Sequence, residues 1–296
     1  MLCLRLHQEG RLLKIQKKLK SKLSFCTLCP RSCKVNRLKG ETGFCRAKSK
    51  AIVSSAFLHF GEELELVGTG GSGTIFFSYC NLGCLYCQNY TLSHLGEGRG
   101  LEAQELAGLM LGLQNQGAEN INFVTPTHMI AQILEALPIA IEKGLNLPLV
   151  YNCGGYESVE TLKILEGVFD IYMPDVKYAE RMPAEKFSQA ADYWKIAQAA
   201  VKEMHRQAGD LIIEGGIAKR GLLIRHLVLP NRLAGSFKII DFIRKELSPN
   251  TYINIMDQYY PCHGAYEFNE ISRRITFPEY QEVVEYAKQS GLHRGF

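Results

Sequence analysis

The sequence predicts an α/β protein, a parallel sheet covered by helices, with a small cysteine-rich appendage at its amino end. Three observations carry that reading. From residue 74 onward, short apolar runs alternate with longer amphipathic ones, the pattern of repeated strand–helix units. The strand runs are nearly continuously apolar, as strands buried on both faces are. Seven of the ten cysteines fall in two tight groups, one ahead of this alternation and one at its first strand, a distribution that suits metal binding better than a spread disulfide framework.

A chain of 296 residues can bury a large core, and 46% apolar with 22% charged residues is ordinary for a globular protein. One main domain, residues 68–296, preceded by a basic segment and four-cysteine appendage over residues 1–67, fits better than two equal halves. The formal charge of +4 does not imply nucleic-acid binding and leaves an acidic partner open. No apolar stretch is long enough to span a bilayer and no signal-peptide pattern is present, so no membrane association is expected and a reducing cytoplasm is the expected compartment.

In chain order, residues 11–22 are basic with Leu12, Ile15 and Leu19 at helical spacing, an amphipathic helix packed by one stripe. Cys26, Cys29, Cys33 and Cys45 follow in a C-x2-C-x3-C-x11-C pattern that suits a structural zinc site or a second iron–sulfur cluster, with Gly40 and Gly43 permitting the turn that returns Cys45. Residues 51–63 lead into the main domain; His59 beside Glu62 and Glu63 reads as a structural histidine before a ligand or base. Gly68, Gly70, Gly71 and Gly73 read as a flexible turn, not a phosphate loop, because no P-loop lysine follows. Strands are expected at 74–79, 120–125, 147–152, 168–175, 222–229 and 251–258. Helices are expected near 102–116, 128–142, 158–166, 188–207, 236–247 and 278–290. A closed eight-stranded barrel needs two more units than these.

The first of these strands delivers Cys80, Cys84 and Cys87, a CxxxCxxC run. Three thiols this close can share one metal centre, and three local cysteines leave one iron of a [4Fe–4S] cluster open to a non-protein ligand. With its flanking residues 74–89, this string resembles the radical S-adenosylmethionine enzymes, specifically a group related to pyruvate formate-lyase activating enzyme. The resemblance spans roughly residues 70–260. It implies a partial (β/α)6 TIM-like barrel, open on one side to admit a bulky substrate. It also implies a [4Fe–4S] cluster on the three cysteines, with S-adenosyl-L-methionine chelating the unique iron and Tyr86 beside the adenine.

Further candidate residues stand at strand ends, where parallel α/β folds place their sites. Thr125, Pro126, Thr127 and His128 occupy the place of the family's usual GGE-type segment and depart from it; Thr125 or Thr127 would supply acceptors, or Thr127 would cap the next helix, and His128 would line the pocket. Asn152, followed by Cys153, Gly154 and Gly155, makes a polar site with close backbone access, suited to the methionyl or ribose part of the cofactor. Asp175 and Lys177 alternate onto one side of a strand. They resemble the activating enzymes' DxK segment, which implies a lysine on the cofactor carboxylate and an aspartate at a monovalent cation. Arg225 inside an apolar run requires an anion or a full set of acceptors. It matches the family's arginine, although Asn231 stands where glycine is common; His226 is structural. Gln258 and Tyr259 would complete the adenosine or substrate pocket, and Cys262 and His263 read as loop residues.

What the resemblance implies chemically is one-electron cleavage of the sulfonium to a 5′-deoxyadenosyl radical, which abstracts hydrogen from the substrate, with an electron donor such as flavodoxin or ferredoxin. The target implied by the activating-enzyme likeness is a glycyl residue on a partner protein. The alternative is a non-enzymatic iron–sulfur electron carrier or regulator, which would need none of Asp175, Lys177 or Arg225 around the cysteines. The residues set neither substrate nor oligomeric state.

Overall fold

The computed structural model describes residues 1–296. The chain runs through α1 (Cys3–Gln8), α2 (Arg11–Ser21), β1 (Ala51–His59), α3 (Leu64–Val67), β2 (Ser72–Phe77), α4 (Tyr90–Ser93), β3 (Arg99–Leu101), α5 (Ala103–Asn115), β4 (Asn120–Val124), α6 (Ile130–Glu142), β5 (Leu149–Cys153), α7 (Val159–Ile164), β6 (Ile171–Pro174), α8 (Arg181–Ser188), α9 (Tyr193–Ala208), β7 (Ile212–Glu214), β8 (Ile217–Leu227), α10 (Ser236–Glu246), β9 (Tyr252–Met256) and α11 (Phe277–Gln289). No helix is long and apolar enough to cross a membrane.

Six strands, β2, β4, β5, β6, β8 and β9, pair in parallel in that order, each followed by helix. Nothing joins β9 back to the other end of the sheet, so the arrangement is an open six-unit (β/α) barrel. The sheet also continues past β2 through antiparallel β1 and β3, and β7 forms a hairpin with β8. These three antiparallel strands and α8 were not anticipated from sequence. The run at residues 51–59 is a nine-residue strand and not a lead-in.

Alternation along the strands sorts residues into two cores. Ile75, Phe123, Tyr151 and Ile224 face the helices and pack with Ile133, Leu134 and Ile240. Val150, Met173, Leu223 and Tyr252 face the barrel lumen, where they enclose Leu66 of α3. The segment after β1 therefore plugs the lumen. Asn120 Nδ2 donates to the Leu66 carbonyl at 2.7 Å, and Asn254 Nδ2 donates to Glu63 Oε1 at 2.9 Å, tying the plug to β4 and β9. The glycines that follow are tightly packed rather than a flexible turn. At Gly68, with φ +49°, a Cβ would lie 2.5 Å from Ile217 Cδ1, and at Gly70 one would lie 1.9 Å from the Gly117 carbonyl oxygen.

The basic helix α2 buries Leu12 and Leu19 and leaves its lysines outside, as its periodicity requires. Each fully buried leucine contributes about 2 kcal/mol. Cys3, Leu6, Leu12, Leu19 and Leu23 belong to the same apolar cluster as the barrel helices. The four-cysteine segment beyond them has little regular structure, two short 3-10 turns at Lys22–Ser24 and Arg37–Lys39, the latter capped by Asn36 and ended by Gly40 at φ +85°. Buried Arg37 anchors it, donating twice to the Lys48 carbonyl and once to that of His128.

Candidate active site

At the carboxyl end of the parallel strands lies a cavity of about 380 Å³. Cys80, Cys84 and Cys87 form one rim, and Asn152, Asp175, Lys177, Arg225 and Glu62 stand among the lining residues, with Phe76, Leu82, Val124, Leu227 and Met256 supplying apolar wall. Tyr86, Thr125 and Gln258 line it too.

Each rim sulfur accepts a hydrogen bond: Cys80 Sγ from the Leu82 N–H at 3.3 Å, Cys84 Sγ from Ser188 Oγ at 2.9 Å, and Cys87 Sγ from Ser93 Oγ at 3.1 Å. Burial pushes the Cys80 and Cys84 thiols up, against the opposing pull of Lys177 on both. Without a bound cation they stay protonated. The three cysteines meet at one cavity, but neither they nor the N-terminal four draw three or more His, Cys, Asp or Glu side chains to the separation of a single-ion site. Within the N-terminal group, Gly43 lies so close to Cys33 that a Cβ would stand 2.6 Å from its sulfur. Burial raises the Cys29 and Cys45 thiols, with Cys45 acting on Cys29 and Cys26 acting on both.

A charged wall adjoins the cysteines. Asp175 accepts from Lys177 Nζ at 2.8 Å through one oxygen and from Arg225 Nε at 2.7 Å through the other. Arg225 also donates to Glu62 Oε2 at 3.1 Å and to Asn152 Oδ1 at 2.8 Å. Burial would raise the Asp175 carboxyl, but Arg225 and Lys177 outweigh it and hold it at about 2. Burial pushes Glu62 well above the usual carboxylate range in spite of Arg225, with Glu63 adding to the rise. Three of the five guanidinium N–H groups and one of the three ammonium N–H groups are used, so both cations retain donors. Arg225 thus finds three acceptors within the chain and keeps two N–H groups without one. Glu62 is the member of this wall that sequence did not single out, because nothing local marks a residue whose partner lies 163 positions away.

Backbone strain collects here. Tyr79 and Thr125, neither of them glycine, take φ values of +68° and +58° at the ends of the first two parallel strands. Thr125 N–H donates to the Asn152 carbonyl at 2.8 Å. Tyr86 packs edge-on against Tyr178 and Tyr259.

Several expectations change. Thr127 is not a helix cap; its hydroxyl donates to Glu157 at 2.7 Å, while Tyr151 donates to the other oxygen at 2.9 Å. His128 lies beneath the cavity, its Nε2 2.8 Å from the Ser78 carbonyl, and burial lowers it to about 4. Tyr259 supports Tyr86 and donates its hydroxyl to the Ile271 carbonyl at 2.6 Å. His226 is structural as expected, bridging the Val176 carbonyl and Ser236 Oγ. His59 lines the cavity, and its Nδ1 accepts from the Gly61 N–H. Cys262 donates to the Tyr86 carbonyl at 3.2 Å, and His263 stacks on Tyr90.

No family model matches the chain. Uncharacterized protein MJ0674 of Methanocaldococcus jannaschii is 35% identical over 277 residues, which cover 90% of this chain and 75% of the relative. Uncharacterized protein MJ0808 of the same organism is 23% identical over 296 residues, covering 91% and 78%. The solved structure "Native anSMEcpe with bound AdoMet" gives a TM-score of 0.49 at 11% identity, over 72% of this chain and 57% of that one. At 35% identity over nine-tenths of its length, this protein belongs to the family of the M. jannaschii protein MJ0674.

Proposed function

We propose that the cavity is the active centre of a radical S-adenosylmethionine enzyme. The observation that carries the reading is the pairing, on one cavity, of three thiols that each receive a hydrogen bond with a wall whose two cations keep spare donors. The donor set is chemically suited to a [4Fe–4S] cluster: three soft thiol ligands on one cavity rim, each with a donor directed at its sulfur. When bound, the cluster and S-adenosyl-L-methionine together supply a 5′-deoxyadenosyl radical for hydrogen abstraction.

The chain's own part is binding, orientation and exclusion of water. Lys177 and Arg225 offer N–H donors to the cofactor carboxylate, Asp175 keeps both cations in place, and Asn152 and Thr125 offer acceptors for its ammonium group. Asp175 is also the candidate ligand for a monovalent cation. Tyr86 and Gln258 frame the adenosine end. The apolar wall keeps bulk water from the reactive carbon.

The finer reading is activation of a glycyl-radical partner protein in the cytoplasm, with flavodoxin or ferredoxin as electron donor. It rests on the resemblance of residues 74–89 and of Asp175, Lys177 and Arg225 to the activating enzymes. Cys26, Cys29, Cys33 and Cys45 would hold a second iron–sulfur cluster or a structural zinc, and for a single zinc ion their side chains would have to draw together on binding.

Anaerobic reconstitution and reduction, followed by an assay for 5′-deoxyadenosine, tests the proposal. Wild type forms the product and Cys84→Ala loses it by at least 100-fold. An iron–sulfur chromophore with no product above the Cys84→Ala background would instead favour the electron-carrier alternative.

A further inference from the structure

An arginine side chain of the N-terminal cysteine segment grips the CxxxCxxC loop. Arg31 stands between Cys29 and Cys33. Its Nε donates to the Asn81 carbonyl at 2.9 Å and its Nη2 to the Ser188 carbonyl at 3.2 Å, while Nη1 takes the Gln189 carbonyl. The guanidinium lies 3.8 Å from the centre of the Phe44 ring and 5.2 Å from that of Tyr156.

Both ends of this grip bear on sulfur. Asn81 directly follows Cys80, and its own Nδ2 is fixed to the Tyr156 carbonyl at 2.7 Å. Ser188 is the residue whose hydroxyl donates to Cys84. Between the two cysteines, Gly83 takes φ +102°, and a Cβ there would lie 3.2 Å from Phe44 Cζ. An arginine needed only for charge balance would seek a carboxylate. This one meets three backbone carbonyls from two separate elements, a task for a planar fork of donors that a lysine cannot perform.

We infer that Arg31 is a positioning residue for Cys80 and Cys84, and that through it the fold of the N-terminal cysteine segment sets the geometry of the cavity's sulfur rim. The mechanical part stands on the apo protein alone; only its electrochemical consequence rests on the cluster reading.

Hydrogen exchange on the full-length metal-free protein tests the mechanical part. Peptides covering residues 80–88 and 186–190 exchange at least tenfold faster in Arg31→Met than in wild type. Arg31→Lys, which keeps the charge but not the fork, recovers less than half of the protection, and Lys34→Met, which removes an exposed charge from the same segment, changes nothing there. If circular dichroism shows Arg31→Met to be unfolded, Arg31→Lys decides. Wild-type exchange over residues 80–88 in the folded Arg31 variants overturns the inference.

After anaerobic reconstitution, the midpoint potential of the Cys84-dependent chromophore shifts in Arg31→Lys and stays put in Lys34→Met; an unshifted potential overturns the electrochemical part. A wild-type protein with no Cys84-dependent chromophore defeats the cluster reading, and the exchange experiment still judges the grip.

Discussion

Asp175 holds two cations with one carboxylate, so its loss strands both. Asp175→Asn leaves Lys177 and Arg225 underpaired in a largely buried site. Breaking a buried pair from one side costs about 3–5 kcal/mol, so the urea midpoint falls accordingly, and the 5′-deoxyadenosine formation proposed above falls with it. The acid limb of the stability curve reports the same group. Its folded pKa lies near 2, below the ordinary carboxylate value of about 4. The native state therefore binds its proton later than the unfolded chain does. This stabilisation is fully present above about pH 4 and is lost as pH falls through about 2, and that component is missing from the curve of Asp175→Asn. Asp175, Lys177 and Arg225 were legible in the sequence because ions inside apolar strand runs need a reason. Their mutual pairing was less so, since it depends on the parallel register that sets Asp175 beside Arg225. Glu62 was legible only as a neighbour of His59: its segment has no periodicity, and its role exists only after β8 arrives.

At the scale of elements, the helices were the most legible part. Residues 130–142, 236–246 and 277–289 lie within two residues of their expected bounds, because a 3.6-residue apolar period is a long-range signal along the chain. Strand ends drifted more. β8 begins at Ile217, five residues before the apolar run, because Gly215 and Gly216, at φ +58° and +82°, turn the chain into a hairpin with β7, and exposed Lys219 and Arg220 interrupt the apolar pattern within it. The plug was unreadable for a related reason: Leu64–Val67 is a single turn whose burial is dictated by the lumen around it. Its energetic weight is testable. Leu66 is fully buried among strands from both halves of the barrel, so Leu66→Ala lowers stability by about 2–5 kcal/mol in equilibrium urea unfolding.

For the whole molecule, the question is how separable the amino-terminal 67 residues are. α1 and α2 share the main apolar cluster, Arg31 and Arg37 cross to the barrel, and the plug sits inside it. A chain consisting of residues 68–296 loses all of these at once. It is expected to lack a cooperative thermal transition by circular dichroism and to expose apolar surface to a hydrophobic dye; a sharp transition would show the barrel to be self-sufficient. Two cysteine groups were legible as a pattern of thiols. Their connection through Arg31 was not, because Arg31 reads in the sequence as one more basic residue.

The tie between Glu63 and Asn254 spans 191 residues. During synthesis the grouped cysteines have all been made by residue 87, whereas the lumen cannot seal until β9 has been added, late in the chain. The thiols are thus exposed on an incomplete sheet for most of translation. Any metal ion or oxidant that reacts with these thiols has its easiest access in that interval.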